Sequence, residues 1–314
     1  MRRSLAVLFQ KEVADYLHSW RFPILMGLIA LTAIASMYTA SQAIQEAVNR
    51  ADQPLGAGYL FLYLFTTSDG RLPSFLAFVG FLAPLLGIGM TFDAISSEEN
   101  RNTLIRLLSQ PIYRDDIILS KWLAALAVVT VSFLALGFFV IGGGILAFGV
   151  LPSLEEVARM LTFLLLTAVY VAVWQSLALL FSLRFKSGAT SLLAGLAAWL
   201  FFMLFYPMIV NVVAPVTGQG TVAKVLGEIS RHLWLSRLSP VFLYQEATET
   251  LLSPDVRSLM PITLEQAYGA LPTPISFGQS LLLVWPQVVT LLAMSAVLFA
   301  LSFVLFMRQD IQSR

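Results

Sequence analysis

The chain has no cysteine, which excludes disulfides, thiol nucleophiles and cysteine metal sites. Histidine is almost as scarce: only His18 and His232 occur. On the orientation argued below they fall on opposite sides of a membrane, which excludes a joint metal centre or a catalytic pair. No Gly-Lys dipeptide is present, so there is no phosphate-binding loop of the G-x-x-x-x-G-K-[ST] type. Neither G-x-S-x-G nor H-E-x-x-H occurs, which removes the commonest serine-hydrolase and zinc-protease signatures. Charge is also short, at 12% of 314 residues against about 25% in an ordinary soluble domain. A net charge of +1, with the basic residues scattered along the chain, leaves no cationic stripe for nucleic acid.

Hydrophobic residues, at 58%, define the class as an all-α integral membrane protein. Runs long enough to cross a bilayer, which takes about 20 residues, cover residues 22–40, 74–92, 122–150, 160–183, 188–213 and 281–307. None of the six contains Asp, Glu, Lys, Arg or His. Ion-coupled transporters need ionisable groups near the membrane midplane, so that class is disfavoured. The polar residues that remain are mild, chiefly Gln175 and Gln287, read as interhelical hydrogen-bonding groups or as contacts for an amphiphilic substrate along a pathway.

Lys and Arg placement sets the expected orientation. With the N-terminus inside, Arg2, Arg3, Lys11, Arg21, Arg101, Arg106, Arg114, Lys121, Arg184, Lys186, Arg308 and Arg314 are internal. Arg50, Arg71, Arg159, Lys224, Arg231, Arg237 and Arg257 are external and spread over more residues. Both termini are therefore expected on the cytoplasmic side of the cell (inner) membrane.

Residues 1–21 carry Leu5, Leu8, Phe9, Val13, Tyr16, Leu17 and Trp20 at near-helical spacing among charged residues. They read as an amphipathic helix in the membrane interface, contacting lipid, and not as a cleaved signal peptide, whose charged region would be shorter. The polar segment 93–121 is the other organising feature. Ser96 and Glu99 have the spacing of a capping box, Glu98 and Glu99 suit a helical first turn, and Leu104, Leu107 and Leu108 form one stripe. Arg101 and Arg106 are left for a polar partner or lipid headgroups. One helix is expected from near Ser97 to Gln110, stopped by Pro111, joined to spans at both ends and so able to act as a lever. Gly80, Pro84, Gly87 and Gly89 in the second run, with residues 142–144 in the third, allow bending or close helix approach. Adjacent acids at Asp115 and Asp116, and at Glu155 and Glu156, read as caps or headgroup-level groups.

The large external segment is 214–280. Val222, Val225, Leu226, Ile229 and Leu233 form an apolar stripe opposite Lys224, Glu228 and Arg231, so this part lies on or dips into the outer leaflet. Pro240, Pro254, Pro261, Pro272 and Pro274 divide the remainder, which reads equally as a cap on a pathway or a receptor surface.

These residues resemble the membrane-spanning permease subunits of ABC transporters of the ABC-2 type, in particular the subgroup that includes the nitrous oxide reductase maturation permease. The family pattern E-x-x-G-T-L-x-x-L-L-x-x-P-x-x-R is matched by Glu99, Thr103, Leu104, Leu107, Leu108, Pro111 and Arg114. Asn102 stands where the family often has glycine. Lys11, Glu12, Asp15, Ser19, Arg21 and Phe22 are similar to the family's connecting helix, while residues 237–240 and 280–287 resemble the subgroup's approach to span six.

The resemblance implies a connecting helix at 1–21 and a transmembrane domain over 22–314. It implies a homodimer of permeases resting on separate ATPase subunits that hold ATP and Mg, with no cofactor and no catalysis on this chain. Residues 97–110 would couple the two, and export of an amphiphilic substrate would follow. Two other classes stand beside this reading. One is an ATPase-linked complex acting on an extracytoplasmic protein or in metal-cofactor assembly, and the other is a stand-alone membrane enzyme or scaffold.

Overall fold

The apolar runs form helices because a bilayer offers their backbone groups no other partner. A computed structural model describes residues 3–49, 59–67, 73–218, 221–253 and 275–308. Arg2, Arg50, Arg71, Pro254, Arg257, Pro261, Pro272, Pro274 and Arg314 lie outside them. Six helices are long and apolar enough to span a membrane, and no strand occurs among the described residues. The chain is a multi-pass, all-helical membrane protein.

The elements in order are α1 (Arg3–His18), α2 (Arg21–Asn49), α3 (Leu60–Thr66), α4 (Phe75–Thr91), α5 (Ser96–Asn100), α6 (Thr103–Leu108) and α7 (Arg114–Phe148). Then follow α8 (Leu154–Arg184), α9 (Gly188–Leu200), a π-helical turn (Phe201–Phe205), α10 (Tyr206–Val213), α11 (Val222–Ser236), α12 (Pro240–Leu252) and α13 (Phe277–Arg308). We call the end of the bundle carrying α1, α5 and α6 the near end, and the opposite one the far end.

The spanning helix α8 is the most enclosed. It packs against α4, α7, α12 and α13, and its far end is fixed by a capping box in which Ser153 and Glu156 satisfy each other's backbone N–H groups. That settles Glu156 as a cap.

Close packing of α4 on α8 depends on Gly87. A Cβ there would come within 3.0 Å of Val171 Cγ1 and of the Val171 carbonyl oxygen, and within 3.3 Å of the Gln175 nitrogen. The backbone atoms cannot swing away as a side chain can. Thr91 uses the same proximity, its hydroxyl donating to the Gln175 carbonyl at 3.1 Å.

The structure departs from the sequence reading in several places. Residues 41–73 read from their sequence as a moderately polar external connection, but α3 inserts four fully buried residues, Phe61, Leu62, Leu64 and Phe65, into the core, where Phe65 meets Phe75 and Phe163 edge-on at 5.1 and 5.9 Å. The spanning helices also begin earlier than their uncharged runs. Lys121 is thereby placed inside α7 and Arg159 inside α8, both buried, so the spanning helices do contain ionisable groups. Arg159 donates to Glu155, Ser280 and the carbonyls of Leu251 and Ile275, tying α8 to α12 and α13.

The segment after α10 is a re-entrant hairpin. Helix α11 returns along α10: Thr217 donates to Glu228, His232 Nδ1 lies 3.0 Å from the Ala214 carbonyl, and Tyr206 donates to the Leu235 carbonyl. Glu228 therefore faces inward with Leu233, not opposite the apolar stripe, because Thr217 offers it two donors.

Helix α12 climbs back toward the far end against α8. Its Leu251 meets Arg159, and its Tyr244 stacks on Tyr170 with ring centroids 4.2 Å apart. Arg159 to Tyr170 is about 16 Å of helix at ~1.5 Å per residue, so α12 runs at least that far along α8 from its far end. At the tip Arg237 forks onto Glu246 at 2.6 and 3.0 Å. The hairpin thus carries a charged pair alongside the spanning helices.

Gly87→Ala is expected to destabilise the protein by about 1–3 kcal/mol through overpacking, while Gly27→Ala, where an added Cβ meets nothing within 4 Å, should be silent. Thermal unfolding of the two variants in detergent micelles checks the contrast.

Candidate functional site

At the near end α1 does not merely lie in the interface. It docks along α7, burying Leu5 and Leu8 together with Glu12. Leu17 and Trp20 point outward, Trp20 at 83% exposure. Glu12 therefore belongs to the packed face and not the solvated one.

The reason is Lys121, whose side chain is only 4% exposed. Its ammonium donates to both Glu12 oxygens at 3.1 Å and to Glu98 Oε1 at 2.7 Å. An ammonium in a low-dielectric setting needs counter-charges, and these two come from α1 and α5. Lys11 extends the cluster, bonded to Glu12 at 2.9 Å, paired with Asp15 at 3.1 Å and 3.8 Å from Glu98. Burial alone would lower the Lys11 pKa, but these carboxylates outweigh it and hold the pKa above the ordinary lysine value. Glu98 Oε2 is buried and has no partner.

Two further ties brace the same end. Arg21 donates twice to Asp93, both at 2.7 Å, with its guanidinium 4.6 Å over the Phe92 ring. Ser4 donates to the buried Asp116.

The coupling segment differs from the single helix expected from 97 to 110. It is two short helices, α5 and α6, separated at Asn102, which adopts the left-handed conformation with φ 55°. Glycine takes that conformation freely and asparagine tolerates it, which explains why Asn102 can stand at a glycine position of the family pattern. The Ser96–Glu99 capping box is not formed. Ser96 is buried within the turn, and the backbone N–H groups of Ile95 and Ser96 both donate to Ser182 Oγ of α8. A tertiary acceptor has replaced the local one.

In α6, Thr103 donates to the Glu98 carbonyl at 3.2 Å. Leu104 is fully buried with Leu8, Ile95, Ile117, Ile118, Leu179 and Phe306, and Leu107 packs at the edge of this cluster. The leucine stripe seats α6 on the bundle instead of offering it to a partner. Of Leu108 only the backbone is described. Glu99, Arg101, Arg106 and Pro111 are exposed, and Arg114 opens α7.

A cleft of about 730 Å³ separates α1 and the start of α2 from α4, α5 and α6, lined by Lys11, Glu12, Asp15, Glu98, Arg101 and Arg106 among others. The structure thus gathers the predicted connecting-helix and coupling residues in one place.

Gln175 and Gln287 are not gathered there. Gln175 is fully buried and donates to the Trp122 carbonyl at 2.6 Å. Gln287 is buried in α13. Ser176 and Ser295 lie 3.3 Å apart, so α8 and α13 run in register and Gln287 sits about 12 Å farther along, at ~1.5 Å per residue.

Lys121, the centre of the cluster, was not singled out from sequence. The available signal was its position three and four residues after Ile118 and Ile117, on one face of a helix starting at Arg114.

The six apolar helices and the helical pair at their near end set the context for the family comparison. The model of the ABC-2 family transporter proteins matches residues 6–311, and the chain belongs to that family. It is similar to the probable ABC transporter permease protein NosY of Pseudomonas aeruginosa, 28% identical over 193 residues that cover 58% of this chain and 64% of that protein. Probable NosY of Stutzerimonas stutzeri is 26% identical over 190 residues, covering 58% of this chain and 63% of its own. The chain spans less than two thirds of the length of either relative.

Lys121→Met should destabilise the protein by about 3–5 kcal/mol, since Glu12 and Glu98 are left buried without their cation. The triple variant Lys121→Met, Glu12→Gln, Glu98→Gln should recover most of that loss. Equilibrium unfolding of both variants in one detergent decides it.

Proposed function

We propose that this chain is the non-catalytic permease of an ATP-driven exporter of amphiphilic or apolar cargo, and that its near end is cytoplasmic and docks separate ATPase subunits holding ATP and Mg. The observation that carries the reading is the Lys121 cluster. It joins the connecting helix, the coupling turn and the third span through one buried charge, so displacement of α5 cannot leave α1 and α7 where they were.

Arg101 and Arg106 are exposed on the coupling segment and have no ion-pair partner among the described residues. They are available to carboxylates on an ATPase. Closure of the ATPase pair on ATP would favour the bundle conformation that fits the closed pair, and that difference in affinity is what shifts the population. Pairing of two permease copies is supported by the outward apolar face of α9, the π-turn and α10, where Leu193, Phe205, Met208 and Val212 are all exposed. Lipid or a second copy covers such a surface.

The absence of cysteine makes the docking test clean. Arg106→Cys, in the complex with its ATPase, should cross-link to that subunit. Arg101→Glu combined with Arg106→Glu should cut co-purification of the ATPase at least tenfold. Cargo transport into sealed vesicles by the purified permease with no ATPase present would sink the proposal, as would labelling of Arg106→Cys from the outside of intact cells.

A further inference from the structure

The far end holds a second polar cavity, of about 350 Å³, between the start of α4, the end of α3 and one face of α12. Ser74, Gln245, Thr248 and Glu249 line it, with Ala77 and the edge of the Tyr244 ring as its apolar wall. Among the described residues that line it, Glu249 is the single charged one. The side chains of Gln245 and Glu249 have no hydrogen-bond partner among the described residues, although the rest of α12 is densely satisfied.

Among the described residues, the charges around this cavity leave a net negative site. Glu246 is neutralised by Arg237, and Arg159, at the end of α12, is taken up by Glu155 and by carbonyls. Helices α3 and α4 carry no charged residue at all.

Gln245 and Glu249 are exposed on α12, so an anion would be repelled by the carboxylate and a neutral guest would gain no ion-paired hydrogen bond from it. An ammonium satisfies it. The amide and hydroxyl oxygens of Gln245, Ser74 and Thr248 accept its remaining protons, and the Tyr244 ring is an additional favourable neighbour for a cation. The apolar wall and the position of Tyr244 within the membrane-embedded bundle suit a cation that carries a hydrocarbon chain.

We propose that this cavity is a binding site for the ammonium group of an amphiphilic amine, with Glu249 as its counter-ion. The shared chemistry fits two sources, an aminophospholipid headgroup or a free amine. The site lies at the opposite end from the Lys121 cluster, so the inference stands whether or not that cluster couples to an ATPase.

Saturation binding of n-dodecylamine to the purified full chain in dodecyl maltoside tests it. The expected result is saturable binding that n-dodecanol does not displace and that Glu249→Gln weakens at least tenfold. Ala77→Trp, which fills the cavity from the exposed side of α4, should weaken it similarly. Displacement by phosphatidylethanolamine but not by ethanolamine would assign the site to a lipid headgroup, and displacement by ethanolamine to a soluble amine. Binding that is unchanged in Glu249→Gln, or equal displacement by dodecanol, overturns the proposal.

Discussion

A lysine ammonium buried at the end of a membrane bundle is tolerated only if negative charge is brought to it. Lys121 meets that condition with Glu12 from one side and Glu98 from the other. Because the two acids belong to separate elements, the requirement is also geometric: α1 must lie against α7, and α5 must turn back beneath the bundle. Leu8, Leu104 and Phe306 then close an apolar cluster beside the charges. The same group of contacts ties α1, α5, α6 and α7 together at the near end.

Several charged and hydroxyl groups in the bundle follow a related rule and bring their partners with them, whereas Trp174 Nε1, Gln175 Oε1, Ser191 Oγ and Gln287 Oε1 are buried with no partner among the described residues. Arg159 has all of its donors occupied where α8, α12 and α13 meet. Arg237 enters on the hairpin already paired with Glu246. The hydroxyls of Thr91, Ser176 and Ser182 join α8 to its neighbours. Glu249 and Gln245, exposed on α12, face a cavity at the far end.

The departures from the sequence reading share one cause. A pattern such as Ser96 followed by Glu99 specifies what a segment does if nothing else competes, and Ser182 competes from 86 residues away. Glu12 looks like a solvated residue on an amphipathic helix until Lys121 is placed opposite it. Helix α3 reads as part of a connection, since seven residues are too few for periodicity to be decisive, yet its aromatic side chains fill the far end of the core.

Amino-acid order alone decided the six apolar spans, the helical class and the position of the polar segment between the second and third spans. Length and hydrophobicity are local properties, and the bilayer enforces them on any chain that enters it. Only the tertiary structure decided that the polar segment 93–121 breaks at Asn102, that α11 and α12 fold back along α10 and α8, and that a charged cluster holds the near end together. Each of these depends on which distant residue supplies a hydrogen bond or a counter-charge, and that pairing exists only once the helices have packed.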